Sequence, residues 1–187
     1  MTEKTTETKV QEAQTAALRL AGTSDDERTE ALNAVADAID ESHEEILEAN
    51  KEDVREAEAL LESGEYSQAL VDRLELSPSK LESITEMVRS VAAQTDPLGE
   101  TEMARKLDEN LELYKCTVPI GVVGSIFESR PDALVQIASL SLRSGNAVIL
   151  KGGSEASRSN RVLFELIRDA TNGMPDGWAQ LIEARAD

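Results

Sequence analysis

Two short runs in this chain bring together the residue types that hold anionic ligands. Lys151-Gly152-Gly153-Ser154-Glu155 supplies an ammonium, two positions without side chains, a hydroxyl and a carboxylate in five consecutive residues. Glycines let backbone approach a ligand closely, free N–H groups at a helix start bind anions, and the ammonium adds a point charge. An ordinary strand-to-helix turn with a surface lysine uses the same residues, so the run stands equally for either. The second run, Phe127-Glu128-Ser129-Arg130-Pro131, offers a guanidinium whose fork can bind phosphate or carboxylate at two points. A salt bridge from Arg130 to Glu128 or Asp132 is the equal alternative. Neither GxGxxG nor GxxxxGK(S/T) occurs, so the usual dinucleotide fingerprint and the P-loop are both missing.

Nucleophilic catalysis would need an activated side chain, and the candidates are few. Cys116 is the single cysteine, which excludes an internal disulfide and a Cys-based zinc site. No neighbouring histidine or helix start would lower its pKa, so it is read as a packed structural cysteine. His43 falls on an apolar stripe between Ile39 and Ile46/Leu47, which predicts a packed or edge-of-core histidine rather than a general base. Neither residue is assigned a catalytic role, and no metal site is expected.

The elements that must position these runs follow from periodicity. Val10, Ala13, Ala17, Leu18 and Ala21 make a helical stripe over 10–21 that ends at Gly22. Ser24 or Asp25 caps one longer helix, with Leu32, Val35, Ile39, Ile46, Leu47, Val54 and Leu61 on one face, stopped by Gly64. Shorter helices are predicted at 66–74 and, after Ser77-Pro78, at 78–94. Residues 102–107 and 111–117 read as a hairpin joined by Asp108-Glu109-Asn110. The apolar run 120–127 has the look of a strand buried on both faces of a parallel sheet. A helix from Pro131 to about 142, a strand at 147–151, a helix over about 155–170 and a strand at 178–182 complete the pattern.

The fold class is therefore α/β: acidic N-terminal helices, then a β-hairpin, then an incomplete Rossmann-like βαβαβ parallel sheet. The chain divides at 1–97 (acidic helical segment), 98–119 (hairpin or linker, an oligomerisation arm) and 120–187 (partial α/β domain). Ligands in such a sheet bind outside the carboxyl ends of the strands, which is where both runs fall.

Charge supports the division. Residues 1–110 hold 28 acids against 11 bases, and 111–187 hold nine against eight, for a net charge of −18. A face that binds nucleic acid must supply Lys and Arg to replace phosphate counterions, so no nucleic-acid partner is expected. The acids alternate with apolar residues at helical spacing, which describes a solvated acidic layer suited to high salt rather than an interaction tail. No apolar run reaches the roughly 18 residues needed to span a bilayer, and the start MTEKTTETKV has no apolar signal core. No membrane association and a cytoplasmic location are the expectation.

The two runs also carry a resemblance. VPIGVVGSIFESRP at 118–131, LRSGNAVILKGGSEA at 142–156 and Ser159-Asn160 closely resemble gamma-glutamyl phosphate reductases, also called glutamate-5-semialdehyde dehydrogenases. These form a branch of the aldehyde dehydrogenase superfamily. The likeness runs more loosely back to Asn50-Lys-Glu-Asp53 and forward to Gln180-Leu-Ile-Glu183. It covers most of this chain but only the amino-terminal part of family members more than twice as long.

The resemblance implies an aldehyde dehydrogenase-like fold and an NADP(H) site in an enzyme of L-proline biosynthesis. That enzyme reduces gamma-glutamyl phosphate to glutamate-5-semialdehyde and phosphate. Lys151, Ser154 and Glu155 match the segment at the adenine ribose, with Gly153 between them. Lys151 suits a 2′-phosphate, whereas Glu155 suits ribose hydroxyls and the NAD alternative. Ile126 and Phe127 match backbone near the nicotinamide. Ser129 stands where aldehyde dehydrogenases place an oxyanion-holding asparagine, and Arg130 is a candidate substrate contact. The family chemistry needs a cysteine thiolate to attack the acyl phosphate, and that cysteine lies downstream of the nucleotide motifs. The resemblance thus implies a chain inactive by itself, within a homo-oligomer or beside a missing C-terminal catalytic half. The alternative is a non-catalytic nucleotide- or partner-binding module that lacks the nucleophile.

Overall fold

The computed structural model describes residues 5–128 and 130–183. Five helices come first: α1 (Thr6–Leu20), α2 (Asp25–Glu41), α3 (His43–Glu62), α4 (Gln68–Leu74) and α5 (Pro78–Ala92). Hydroxyls cap the starts of α1, α2 and α5, through Thr5, Ser24 and Ser77, while Ser42 and Ser67 before α3 and α4 make no such bond. Ser24 and Glu27 form a reciprocal capping box, with Glu27 N–H donating to Ser24 Oγ (3.2 Å) and Ser24 N–H to Glu27 Oε2 (2.7 Å). Those bonds to Ser24 hold the Glu27 carboxyl below its ordinary pKa. Ser77 accepts from Lys80 N–H, and Pro78 occupies the first turn of α5, where its missing N–H costs nothing.

The single long helix expected after Ser24 is two. The chain breaks at Ser42 (φ −112°, ψ 19°), whose N–H turns back to Ile39 O at 3.2 Å. Neither Gly nor Pro marks the break, so the apolar stripe runs through it unbroken. Its effect is to send α2 against α5 and α3 against α7.

The hairpin forms as expected, from β1 (Thr101–Asp108) and β2 (Leu111–Cys116), with Asn110 at positive φ in the turn. Every residue of both strands is exposed. The parallel sheet follows: β3 (Val122–Ile126), α6 (Pro131–Arg143), β4 (Ala147–Lys151), a 3-10 turn (Ser154–Ala156), α7 (Ser157–Ala170) and β5 (Ala179–Leu181). Strand order is β3-β4-β5, so β4 is central. α1 lies on one face of the sheet, where Ala13 and Ala17 meet Ala147. On the other face α6 and α7 contribute Leu134, Val135, Leu142, Leu163 and Ile167 to a core shared with Leu32, Ile39, Ile46 and Val88 of the outer helices.

The run 120–127 is not a doubly buried strand. β3 is an edge strand, and Ile120 and Ile126 are each 85% exposed. No layer covers the side chain of Ile126, and β3 is also an edge, since among the described residues only β4 pairs with it.

Two buried guanidiniums knit the outer helices together. Arg28, 1% exposed, donates to Thr23 O (2.6 Å) and to Asp96 (2.7 Å). Arg143, 3% exposed, reaches Thr29 Oγ1 at 2.9 Å, the Gln94 carbonyl and Asp25. Removing the carboxylate partner of either leaves a buried guanidinium with less compensation, and the half-open carboxylates keep that cost below the value for a fully buried pair.

Candidate functional site

The carboxyl ends of β3 and β4 meet in register. Ile126 pairs with Lys151, and Phe127 N–H donates to Lys151 O at 3.1 Å. The topology therefore brings together Ile126, Phe127 and Lys151, which the sequence separates by 24 residues or more. Lys151 is half-buried; its Nζ donates to Gly152 O at 2.8 Å, and no carboxylate pairs with it among the described residues. Gly152 fills a place that no side chain could share, since a Cβ would sit 2.3 Å from Asn160 Nδ2 and 3.3 Å from the Phe127 ring. At Gly153 a Cβ would sit 2.1 Å from Glu155 Oε1, so the Glu155 side chain folds back over the glycine. Ser154 is exposed beside it. Both glycines are therefore packed under protein side chains, and the corner carries an ammonium from Lys151 and an exposed hydroxyl from Ser154.

The helix start behind this corner is not open to an outside anion. Asp53 of α3, 2% exposed, already caps it: Ser159 N–H donates to Asp53 at 2.8 Å, Ser159 Oγ at 2.7 Å, Arg158 N–H at 3.3 Å and the Arg158 guanidinium at 3.2 Å. Two of the N–H groups expected to be free at the mouth of α7, those of Arg158 and Ser159, are taken by the protein's own carboxylate, whose charge also suits the helix dipole. Arg158 also pairs with Glu56, and those two bonds raise its pKa while the guanidinium lowers that of Glu56. Asn50, one turn before Asp53 on the same helix face, donates to Leu74 O (2.9 Å) and Ser159 Oγ (3.0 Å), and accepts from Leu76 N–H (2.7 Å). α3 therefore locks the connection between α4 and α5 to the start of α7. Sequence reasoning gave neither residue a role. The available signal was polar residues at i, i+3 with Ala57 at i+7, a polar pair on a buried helix face.

The remaining candidates divide. Arg130 is exposed and pairs with Asp132, Nη2 to Oδ2 at 2.7 Å, which raises the guanidinium pKa; of its two readings the local ion pair is the one seen. Ser129 lies outside the described residues. Cys116 is not packed: it sits exposed on the hairpin with Sγ 3.6 Å from Thr101 Oγ1, because both faces of that hairpin are open. His43 lies at the edge of the core, half-buried, with Nε2 3.7 Å from Asp40. No described helix is long and apolar enough to cross a membrane.

The sequence profile of the aldehyde dehydrogenase family matches residues 1–187. The chain belongs to the aldehyde dehydrogenase family. Within it, the gamma-glutamyl phosphate reductase of Natronomonas pharaonis is 72% identical over all 187 residues, and that of Haloquadratum walsbyi 66% identical over 184, or 98% of the chain. The chain spans 42% and 40% of those two relatives, so it corresponds to well under half of their length. Among solved structures, the gamma-glutamyl phosphate reductase of Saccharomyces cerevisiae superposes with a TM-score of 0.89 at 35% identity, covering 98% of this chain and 48% of that one.

Proposed function

We propose that this chain is the amino-terminal, coenzyme-binding portion of a gamma-glutamyl phosphate reductase, which reduces gamma-glutamyl phosphate to glutamate-5-semialdehyde and phosphate. The observation that carries this reading is 72% identity to one such reductase along the whole chain. The coenzyme is NADP(H), which when bound supplies the hydride. The corner fits it: Lys151 has no carboxylate partner among the described residues, Ser154 is exposed, and Ile126 is exposed beside them.

Because Asp53 occupies the mouth of α7, the positive charge for a 2′-phosphate comes from Lys151, with Ser154 donating from the side. Glu155, folded over Gly153, is placed to accept from a ribose hydroxyl. Ile126 and Phe127 offer backbone and an apolar wall to the nicotinamide end. Arg130 and Ser129 contact substrate, with Arg130 exchanging Asp132 for it. No residue here is the nucleophile, since Cys116 lies on the hairpin outside the corner.

The same reading divides the chain into 1–97, 98–119 and 120–187, the middle part being an oligomerisation arm. It places the protein in the cytoplasm, at high internal salt, a setting that a net charge of −18 and relatives from two halophilic archaea support. The test is an assay of semialdehyde-dependent NADP reduction. The chain by itself is expected to show none, and turnover that survives Cys116→Ala contradicts the placement of the nucleophile elsewhere.

A further inference from the structure

Asn160, in the first turn of α7, is 3% exposed. Its Oδ1 is buried without a partner, and its Nδ2 makes no hydrogen bond either, among the described residues. The other buried asparagines use both ends of their carboxamides. Asn50 donates to Leu74 O and Ser159 Oγ and accepts from Leu76 N–H. Asn146 accepts from Gly121 N–H at 2.8 Å and donates to Ser144 O at 3.0 Å. Buried polar atoms almost always find a partner, so an orphan beside a candidate site points to a bond made in another state of that site.

The carboxamide is aimed at the Lys151 corner. A Cβ on Gly152 would lie 2.3 Å from Asn160 Nδ2 but 3.3 Å from its Cγ, so the nitrogen end faces the turn. Ser159, the residue immediately before, is tied to Asp53 and Asn50, which fixes the helix start that carries Asn160. A partner must therefore come to Asn160. The adjacent acceptor is the Gly152 carbonyl, which now accepts from Lys151 Nζ at 2.8 Å. An anion bound at that ammonium would lie beside this carbonyl oxygen, and the two negative ends repel. The peptide that bears the oxygen joins Gly152 to Gly153, and neither glycine sits at positive φ, so the freedom of both is unused in this state.

We propose that Asn160 is a positioning residue of the coenzyme corner: when the 2′-phosphate draws Lys151 outward, the Gly152 carbonyl turns inward and accepts from Asn160 Nδ2. Lys151 then gives all three N–H groups to the phosphate and solvent, and the carbonyl it leaves stays satisfied. The inference rests on the reading of Lys151 as the phosphate contact. NADH carries a hydroxyl at that position, leaves Lys151 on Gly152 and does not engage Asn160.

The experiment follows the Asn160 side-chain amide protons by heteronuclear NMR in the chain, titrated with NADPH and separately with NADH. With NADPH one of the two protons moves downfield and exchanges more slowly with water; with NADH neither changes. Asn160→Leu supplies a second readout. An apolar side chain of similar volume removes an unmet buried polar group, so the melting temperature of the free chain holds or rises. NADPH affinity nevertheless falls about tenfold, while NADH affinity stays within about twofold, since only the phosphate-bearing state uses the lost bond. A residue that merely supports the fold would lose melting temperature and both affinities together, and that result overturns the proposal. NADPH binding with no response at Asn160, or equal NADPH affinity in parent and Asn160→Leu, overturns it too and leaves the coenzyme reading intact. Absence of binding by either nucleotide sinks the coenzyme reading and this inference with it. Should Asn160→Leu fail to fold, the amide signals of the parent decide.

Discussion

Asp53 shows what one buried carboxylate does for this fold. It accepts from two backbone N–H groups, a hydroxyl and a guanidinium at the start of α7, and so fixes the helix that backs the Lys151 corner. Asp53→Ala leaves these donors buried and unmet, and chemical denaturation should show a loss of about 2–4 kcal/mol. Asp53→Asn, which keeps an acceptor, should lose clearly less. At Gly152, alanine would drive a methyl into the buried Asn160, and a loss of about 1–3 kcal/mol is expected in the same measurement. Lys151, Gly153, Ser154 and Glu155 were legible as a cluster because they are consecutive. Asp53 was not, because the donors that it serves lie more than a hundred residues away and sequence spacing does not report such pairing.

Elements were legible wherever local chemistry marks them. The start at Ser24, one of two caps the sequence offered, Ser77-Pro78 and the Pro131 start all lie where the sequence placed them, and Glu27 completes a capping box with Ser24. The box also gives a pH expectation. Glu27 has its pKa lowered in the folded state by Ser24, so its contribution is present above the ordinary carboxylate range and fades as pH falls through it. In Ser24→Ala, melting measured between neutral and acid pH should therefore show a shallower acid-side decline than the parent. Two features were misread for one reason: an apolar pattern reports that a residue will be covered, but not by what. The stripe across Ser42 serves two different partners, and the run 120–127 lies at a sheet edge. Ile126→Thr should accordingly shift stability by no more than about 0.5 kcal/mol, whereas Leu150→Ala in the central strand should cost about 2–5 kcal/mol.

At the scale of the molecule, charge and exposed strand edges set the behaviour. A net charge of −18, most of it on the first 110 residues, makes the folded state self-repelling at low ionic strength. The melting temperature should rise between dilute buffer and molar KCl as the screening length falls from about 10 Å to about 3 Å; an unchanged value would remove the salt-adaptation reading. The exposed edge of β3 and the open hairpin agree with a chain that spans 42% of its Natronomonas relative. The proposed function requires coenzyme capture at the ends of β3 and β4. Its most direct test is fluorescence titration of the folded chain with NADPH and NADH, in the parent and in Lys151→Ala. Loss of one charge-assisted contact should weaken NADPH about ten- to a hundredfold and leave NADH nearly unchanged. Undetectable binding of either nucleotide by the parent, or equal NADPH affinity in parent and variant, would contradict it.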